Sequence, residues 1–154
     1  MTNRHILVIA CIGLALIPLR DALGQTCTVT SPGISFGVYN PMAFSPINTS
    51  STVAVICSSR INVAVAYEIQ IGPGISGSYN RRSMSGLNYQ IYSDAARSQV
   101  WGDGGGGTVS VADGYTFNSQ IPVNRTYNIF AQLPARQSVA PGVYTDTVLL
   151  LIIY

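Results

Sequence analysis

The sequence contains no lysine, and its one histidine is His5. Charge of either sign is scarce: eight basic residues, all arginine, and six carboxylates among 154 residues, a formal net charge of +2. Nucleic-acid binding rests on a dense cationic surface, which so few cations cannot build. The one basic pair, Arg81-Arg82, is expected to be a solvated turn. Without lysine there is no Schiff-base chemistry. Without a histidine beyond residue 5 there is no Ser-His-Asp or Cys-His pair, no imidazole metal ligand and no general base near neutral pH. Beyond residue 24 the carboxylates are Glu68, Asp94, Asp103, Asp113 and Asp146. Nothing in their spacing pairs two of them for glycoside hydrolysis. Asp94, Asp103 and Asp113 sit beside Ser, Gly or Ala in loop-like contexts. The glycine run Gly102–Gly107 lacks the Gly-Lys-Ser/Thr ending and following helix of a phosphate loop, so a hairpin tip is expected there. These absences predict a protein that is not an enzyme and carries no metal or cofactor.

Long apolar runs are lacking too, with one exception. Ile6 to Leu19 is almost unbroken, follows the positive Arg4 and precedes the polar Arg20-Asp21. It is shorter than the ~20 residues of a membrane-spanning helix and suits the core of a cleavable export signal. Ala22 and Gly24 supply small residues at the −3 and −1 positions. Residues 1–24 are therefore expected to be a signal peptide, cleaved before Gln25, and residues 25–154 the mature domain. No later stretch is long enough to span a membrane. The mature protein is expected to be exported, in transit through the periplasm and then at the cell surface or outside the cell.

Cysteine is sparse as well. Of three, Cys11 would leave with the signal, and Cys27 and Cys57 would remain. A single pair in an exported chain favours one disulfide, closing a loop worth roughly 3–4 kcal/mol on the chain-entropy argument.

What the mature chain has is alternation. Val65, Tyr67, Ile69 and Ile71 fall on one face of a strand, with Ala64, Ala66, Glu68 and Gln70 on the other. Further strands are expected at Ile34–Tyr39, Thr52–Cys57, Leu87–Tyr92, Tyr115–Phe117, Thr126–Leu133 and Gly142–Tyr154. Glycine, proline and serine punctuate them, and no stretch has a helical stripe. Trp101 and the tyrosines are expected to pack rather than to form a binding surface. This is the pattern of an all-β sandwich or barrel. The last strand stands apart, because Val148–Ile153 is apolar on both faces. It is expected to lie centrally, with neighbours on each side and cover above and below. No residue follows Tyr154 that could supply the next strand, so a strand donated by another chain is one physical solution.

Several pieces of the mature chain resemble one family in order. They begin with Cys27, the run Ile34-Ser35-Phe36-Gly37-Val38-Tyr39-Asn40-Pro41, and Val55-Ile56-Cys57. Arg82-Ser83-Met84, Leu87 to Arg97 and Val100 to Gly104 follow. Ile121-Pro122 and Gly142 to Val148 complete the set. Together they resemble the spore coat protein U domain, the family of archaic, Csu-type chaperone–usher pilins. The resemblance implies an incomplete immunoglobulin-like β-sandwich that lacks its last strand. It implies a structural subunit of a pilus, fimbria or coat, assembled by donor-strand complementation and serving adhesion and biofilm formation. The implied partners are a periplasmic chaperone, an outer-membrane usher and other pilus subunits. Val148, Leu150 and Ile152, or in the opposite register Leu149, Leu151 and Ile153, would line the acceptor groove.

One departure is expected to matter. Fibre-forming members carry a donor segment of a dozen or more residues before the first cysteine, whereas only Gln25 and Thr26 would precede Cys27 here. Two residues span under about 10 Å and cannot fill a groove. The protein is thus expected to accept a strand but not to donate one, as a tip-like or minor subunit. The alternative is a free-standing secreted binding domain, possibly carbohydrate-recognising, on the same sandwich.

Overall fold

A computed structural model describes residues 24–118 and 120–154. The expected signal peptide, with His5 and Cys11, lies outside the described residues apart from Gly24. Eight strands form in the order β1 (Gln25–Thr30), β2 (Ile47–Ser59), β3 (Ala64–Ile71), β4 (Arg82–Met84), β5 (Leu87–Tyr92), β6 (Val111–Thr116), β7 (Val123–Leu133) and β8 (Leu150–Ile153). They build a five-stranded sheet, β1-β2-β7-β5-β4, and a three-stranded sheet, β6-β3-β8, with the named pairings all antiparallel. The described residues form no helix. The protein is an all-β sandwich.

Alternation puts the core between the sheets. Val65, Tyr67, Ile69 and Ile71 of β3 are all buried, and they meet Val53 and Val55 of β2, Ile91 of β5, and Ile129 and Leu133 of β7. Trp101 is fully buried beside them, its indole N–H donating to the Ile69 carbonyl at 3.0 Å. That bond satisfies the one polar atom of the ring, so the whole side chain contributes packing. Cys27 and Cys57 are direct cross-strand partners on β1 and β2 and form the disulfide. It fastens the outermost strand of the larger sheet to its neighbour.

Several expected strands differ in extent. Leu87–Tyr92 is β5 as predicted, while Thr52–Cys57 and Thr126–Leu133 lie within the longer β2 and β7. Ile34–Tyr39 forms no strand, Gly37 in its middle having φ +72°, and of Gly142–Tyr154 only Leu150–Ile153 is paired. β1 and β4 were not anticipated; the first is half threonine and the second is three residues long. β8 is not central but an edge strand, paired with β3 alone among the described residues. Its outward side chains Leu149, Leu151 and Ile153 are exposed. The apolar pattern records a demand for pairing that the described residues do not meet.

Arg82 corrects a second expectation. It is no solvated turn residue: at 0% exposure it lies inside the sandwich. Its Nε and Nη2 donate to the Gly72 carbonyl at 3.1 and 3.0 Å, and Nη2 also donates to the Trp101 carbonyl at 2.7 Å. Nη1 donates to Gln90 Oε1. Burial lowers the pKa of the guanidinium, because desolvation penalises its charge. The fan of carbonyl oxygens is what makes that charge tolerable.

Candidate functional site

β1 and β8 form the facing edges of the two sheets and approach each other without pairing. Beyond them the chain continues as two walls outside the ladders, Ser31–Asn40 after β1, which turns at the positive-φ Gly33 and Gly37, and Val143–Leu149 before β8. Along the first wall the backbone bonds are local or to side chains: Gly33 N to Ser31 Oγ, Ser51 Oγ to the Gly33 carbonyl, and Ala43 N to the Asn40 carbonyl. Along the second, the Leu149 carbonyl accepts from Gly72 N at 2.8 Å. Two runs of unladdered backbone therefore face each other, and among the described residues neither 31–39 nor 143–148 makes a backbone–backbone hydrogen bond. Backbone polar groups demand partners, and an open edge of this kind is a template for another strand.

The space between the walls is apolar. Its lower part, a cavity of about 570 Å³, is lined by Val29, Ile34, Phe36, Ile71, Ile91, Ile129, Val148 and Leu150, with Tyr89 and Asp146 at one side. Its upper part, about 680 Å³, continues between Phe36, Val38, Met84, Leu133, Val139 and Tyr144. The upper ends of the walls are bare, with Val38 and Val143 each 93% exposed.

The predicted site residues fall as follows. Val148 and Leu150 line the lower cavity, and Ile152 packs against the core. Leu149, Leu151 and Ile153 point the other way, Leu149 and Leu151 onto a shallow outer depression beside Gln70, Tyr79 and Asp103. The pairing of Ile69 with Ile152 and Ile71 with Leu150 sets this facing. Cys27 and Cys57 lie at the foot of the groove wall, joined as described.

Polar groups around the groove are already engaged. Asp146, half-buried in the second wall, accepts from Tyr89 Oη at 2.6 Å and from Ile75 N at 2.9 Å. Burial, then the bond to Asp146, raises the pKa of Tyr89. On the far side of the sandwich Tyr127 Oη donates to Asp113 Oδ2 at 2.5 Å, and Arg125 Nη1 reaches the same oxygen at 2.9 Å. Tyr67 completes that cluster through the Tyr127 hydroxyl. The hydrogen bond from Tyr127 holds Asp113 below its ordinary pKa. Asp94 is occupied by Ser98 and Gln99, and Asp103 by Gly105 and Thr108. Asp94 and Asp103 tie down turns, as their loop-like contexts predicted, whereas Asp113 lies within β6, opposite Tyr67 of β3. Among the described residues no three His, Cys, Asp or Glu side chains gather as a metal site, and no helix is long and apolar enough to cross a membrane. The parts that sequence reasoning missed are the first wall as half of a groove, and Asp146 and Tyr89 as a joined pair. Both depend on residues far apart in the chain.

No curated protein is matched by the sequence. Among solved structures, the fold is similar to a chain in the crystal structure of the CsuC–CsuE chaperone–tip adhesion subunit pre-assembly complex, from the archaic chaperone–usher Csu pili of Acinetobacter baumannii. The TM-score is 0.56 at 20% identity over 84% of this protein, which spans about 40% of the length of that chain. The sequence itself matches the Spore Coat Protein U domain across residues 14–150, taking in both walls of the groove and the disulfide. A sandwich open along one seam, with its edge strand stapled and its core built on Trp101 and the β3 alternation, is thus the form taken here by a member of the Spore Coat Protein U domain family.

Proposed function

We propose that this protein is an exported structural subunit of a surface pilus or coat, and that the groove between residues 31–40 and 143–150 accepts a β-strand from a partner chain. The observation that carries this is the pair of unladdered walls flanking an apolar cavity. A strand laid between them would hydrogen-bond both walls and bury alternate side chains against Val148, Leu150, Ile34 and Phe36. Ile152 extends the same inward row toward the core. Family membership supports a structural role rather than catalysis. The similar chain belongs to a complex of chaperone and subunit before assembly, which supports a periplasmic chaperone as partner here; an outer-membrane usher and other pilus subunits would follow it. Residues 1–24 would direct export, and assembly would place the product at the cell surface, in adhesion and biofilm formation. With cleavage before Gln25, the stretch ahead of Cys27 is too short to donate a strand, so the protein would be an acceptor at the tip or a minor subunit.

Co-expression with a strand-donating periplasmic chaperone tests this. The protein should accumulate and co-purify with the chaperone and be degraded without it. Leu150→Lys, on the groove side, should abolish the complex, whereas Leu151→Lys, on the outer side, should leave it intact. Accumulation of a stable monomer alone, with no complex formed, would overturn the proposal in favour of a free-standing binding domain.

A further inference from the structure

The second wall is held in an unusual way. Among the described residues, the second wall is tied to the rest of the fold at its end by the Leu149 carbonyl, which accepts from Gly72 N, and within 143–148 by Asp146, besides a local bond from the Tyr144 hydroxyl to the Ala140 carbonyl. One carboxylate oxygen takes the Ile75 amide, in the connection between β3 and β4, and the other takes the hydroxyl of Tyr89 on β5. Tyr89 and Arg82 are direct cross-strand partners. Arg82, in turn, grips the same β3–β4 connection by the Gly72 carbonyl and the end of β3 by the Ile71 carbonyl. The connection is therefore clamped by the buried cation on its carbonyl side and by Asp146 on its amide side.

Gly74 is shaped to this contact. Its φ is +75°, a conformation that side chains rarely adopt, and a Cβ there would collide with the Asp146 carboxylate. Phe36 of the first wall reaches across to the other end of the arrangement, its ring 5.9 Å from that of Tyr89. The carboxylate thus fixes one wall to a rigid post, at the point where an aromatic of the opposite wall also rests.

We propose that Asp146 is the positioning residue of the groove: it holds the 143–148 wall in place before a strand arrives, so that the groove is preformed. This rests on the reading of the groove as a strand acceptor. The consequence is kinetic. While the groove is open, the Asp146 tether anchors the 143–148 part of the wall, ahead of the Leu149 bond at its end. Once a strand is bound, a backbone ladder holds the wall and the tether becomes redundant. Loss of the tether lowers the fraction of molecules ready to bind and slows association, with little effect on dissociation.

The test compares association and dissociation rates of a strand-forming peptide on the full exported protein and two variants. The probe is a synthetic peptide of alternating valine and threonine with lysines at both ends. Asp146→Asn weakens both bonds. Tyr89→Phe removes one bond while keeping the ring against Phe36, and it serves if the first variant folds poorly. Both should slow association by about tenfold or more with dissociation changed by less than about twofold. If either folded variant associates at the wild-type rate, the tether is refuted while strand acceptance stands. Faster dissociation with unchanged association would likewise refute it, since Asp146 would then be touching the bound strand rather than placing the wall. If the wild-type protein binds no peptide, the strand-acceptor reading fails and the tether falls with it.

Discussion

Arg82 shows how a single residue can escape sequence reasoning. Next to Arg81 and after Ser78-Tyr79-Asn80 it has the composition of an exposed turn. Its burial is decided by three carbonyl oxygens, of Ile71, Gly72 and Trp101, that come from two distant segments. One local signal did exist: Arg82 is in phase with Met84, and both are buried in β4. Replacing Arg82 by Met removes the buried charge but leaves those carbonyls without donors, so stability should fall by about 3 kcal/mol. Lys cannot reproduce the fork and should cost nearly as much. Denaturant midpoints at unchanged slope check both. Asp113 supports a second prediction. The hydrogen bond from Tyr127, then that from the Gly114 amide and the charge of Arg125, lower its pKa in the folded protein below the unfolded value near 3.8. Its contribution is then complete above that value and is lost as pH falls through the lower folded pKa. Glu68, Asp94 and Asp103 are shifted in the same direction. Stability should be level through neutral pH and drop below about pH 4. Asp113→Asn should be less stable at pH 7 and show a shallower acid decline. An acid profile identical to that of the wild type would disprove the role of Asp113.

At the scale of elements, alternation was legible and pairing was not. The β3 row Val65, Tyr67, Ile69, Ile71 faces inward as read from the sequence, and in β7, expected as a strand, Ile129, Ala131 and Leu133 do the same. Ile34–Tyr39 and Gly142–Leu149 carry the same period, yet they are walls rather than ladder strands. Period two reports which face is inward, whereas a ladder needs a neighbour at hydrogen-bonding distance. The choice between Val148, Leu150, Ile152 and Leu149, Leu151, Ile153 was likewise illegible, since both sets are apolar; pairing with β3 sets the inward one. β1 escaped notice because it reads Gln-Thr-Cys-Thr-Val-Thr, with little apolar content to mark a strand. Its cysteine, not its pattern, was the clue. β1 is an edge strand paired with β2 alone among the described residues, and the Cys27–Cys57 bond secures that pair. Replacing both cysteines by serine should cost roughly 3–4 kcal/mol, a large share of the stability of a small domain. Because β1 leads into the first wall, the double variant should also bind chaperone more weakly than its stability loss alone explains. Wild-type unfolding midpoints in the double variant would contradict this.

For the molecule as a whole, the pieces converge on one seam. The core of the sandwich is closed by Trp101, Arg82 and the β3 row, and the turns are tied by their own carboxylates. What is left open is the line between β1 and β8, continued upward by two walls whose backbone is unladdered. An apolar edge of this length is an aggregation hazard unless something covers it. Under the function proposed above, a strand from a partner chain is the cover, laid against the apolar lining of the groove. The account can be tested amide by amide, because a strand laid in the groove would spend the very groups now unpaired. Hydrogen exchange should be followed for residues 31–40 and 143–149 in the chaperone-released protein and in its complex with a strand-donating partner. The account predicts rapid exchange along both walls in the free protein and strong slowing along both in the complex, with β3 and β7 protected throughout. Walls already protected in the free protein, or left unprotected in the complex, would contradict it.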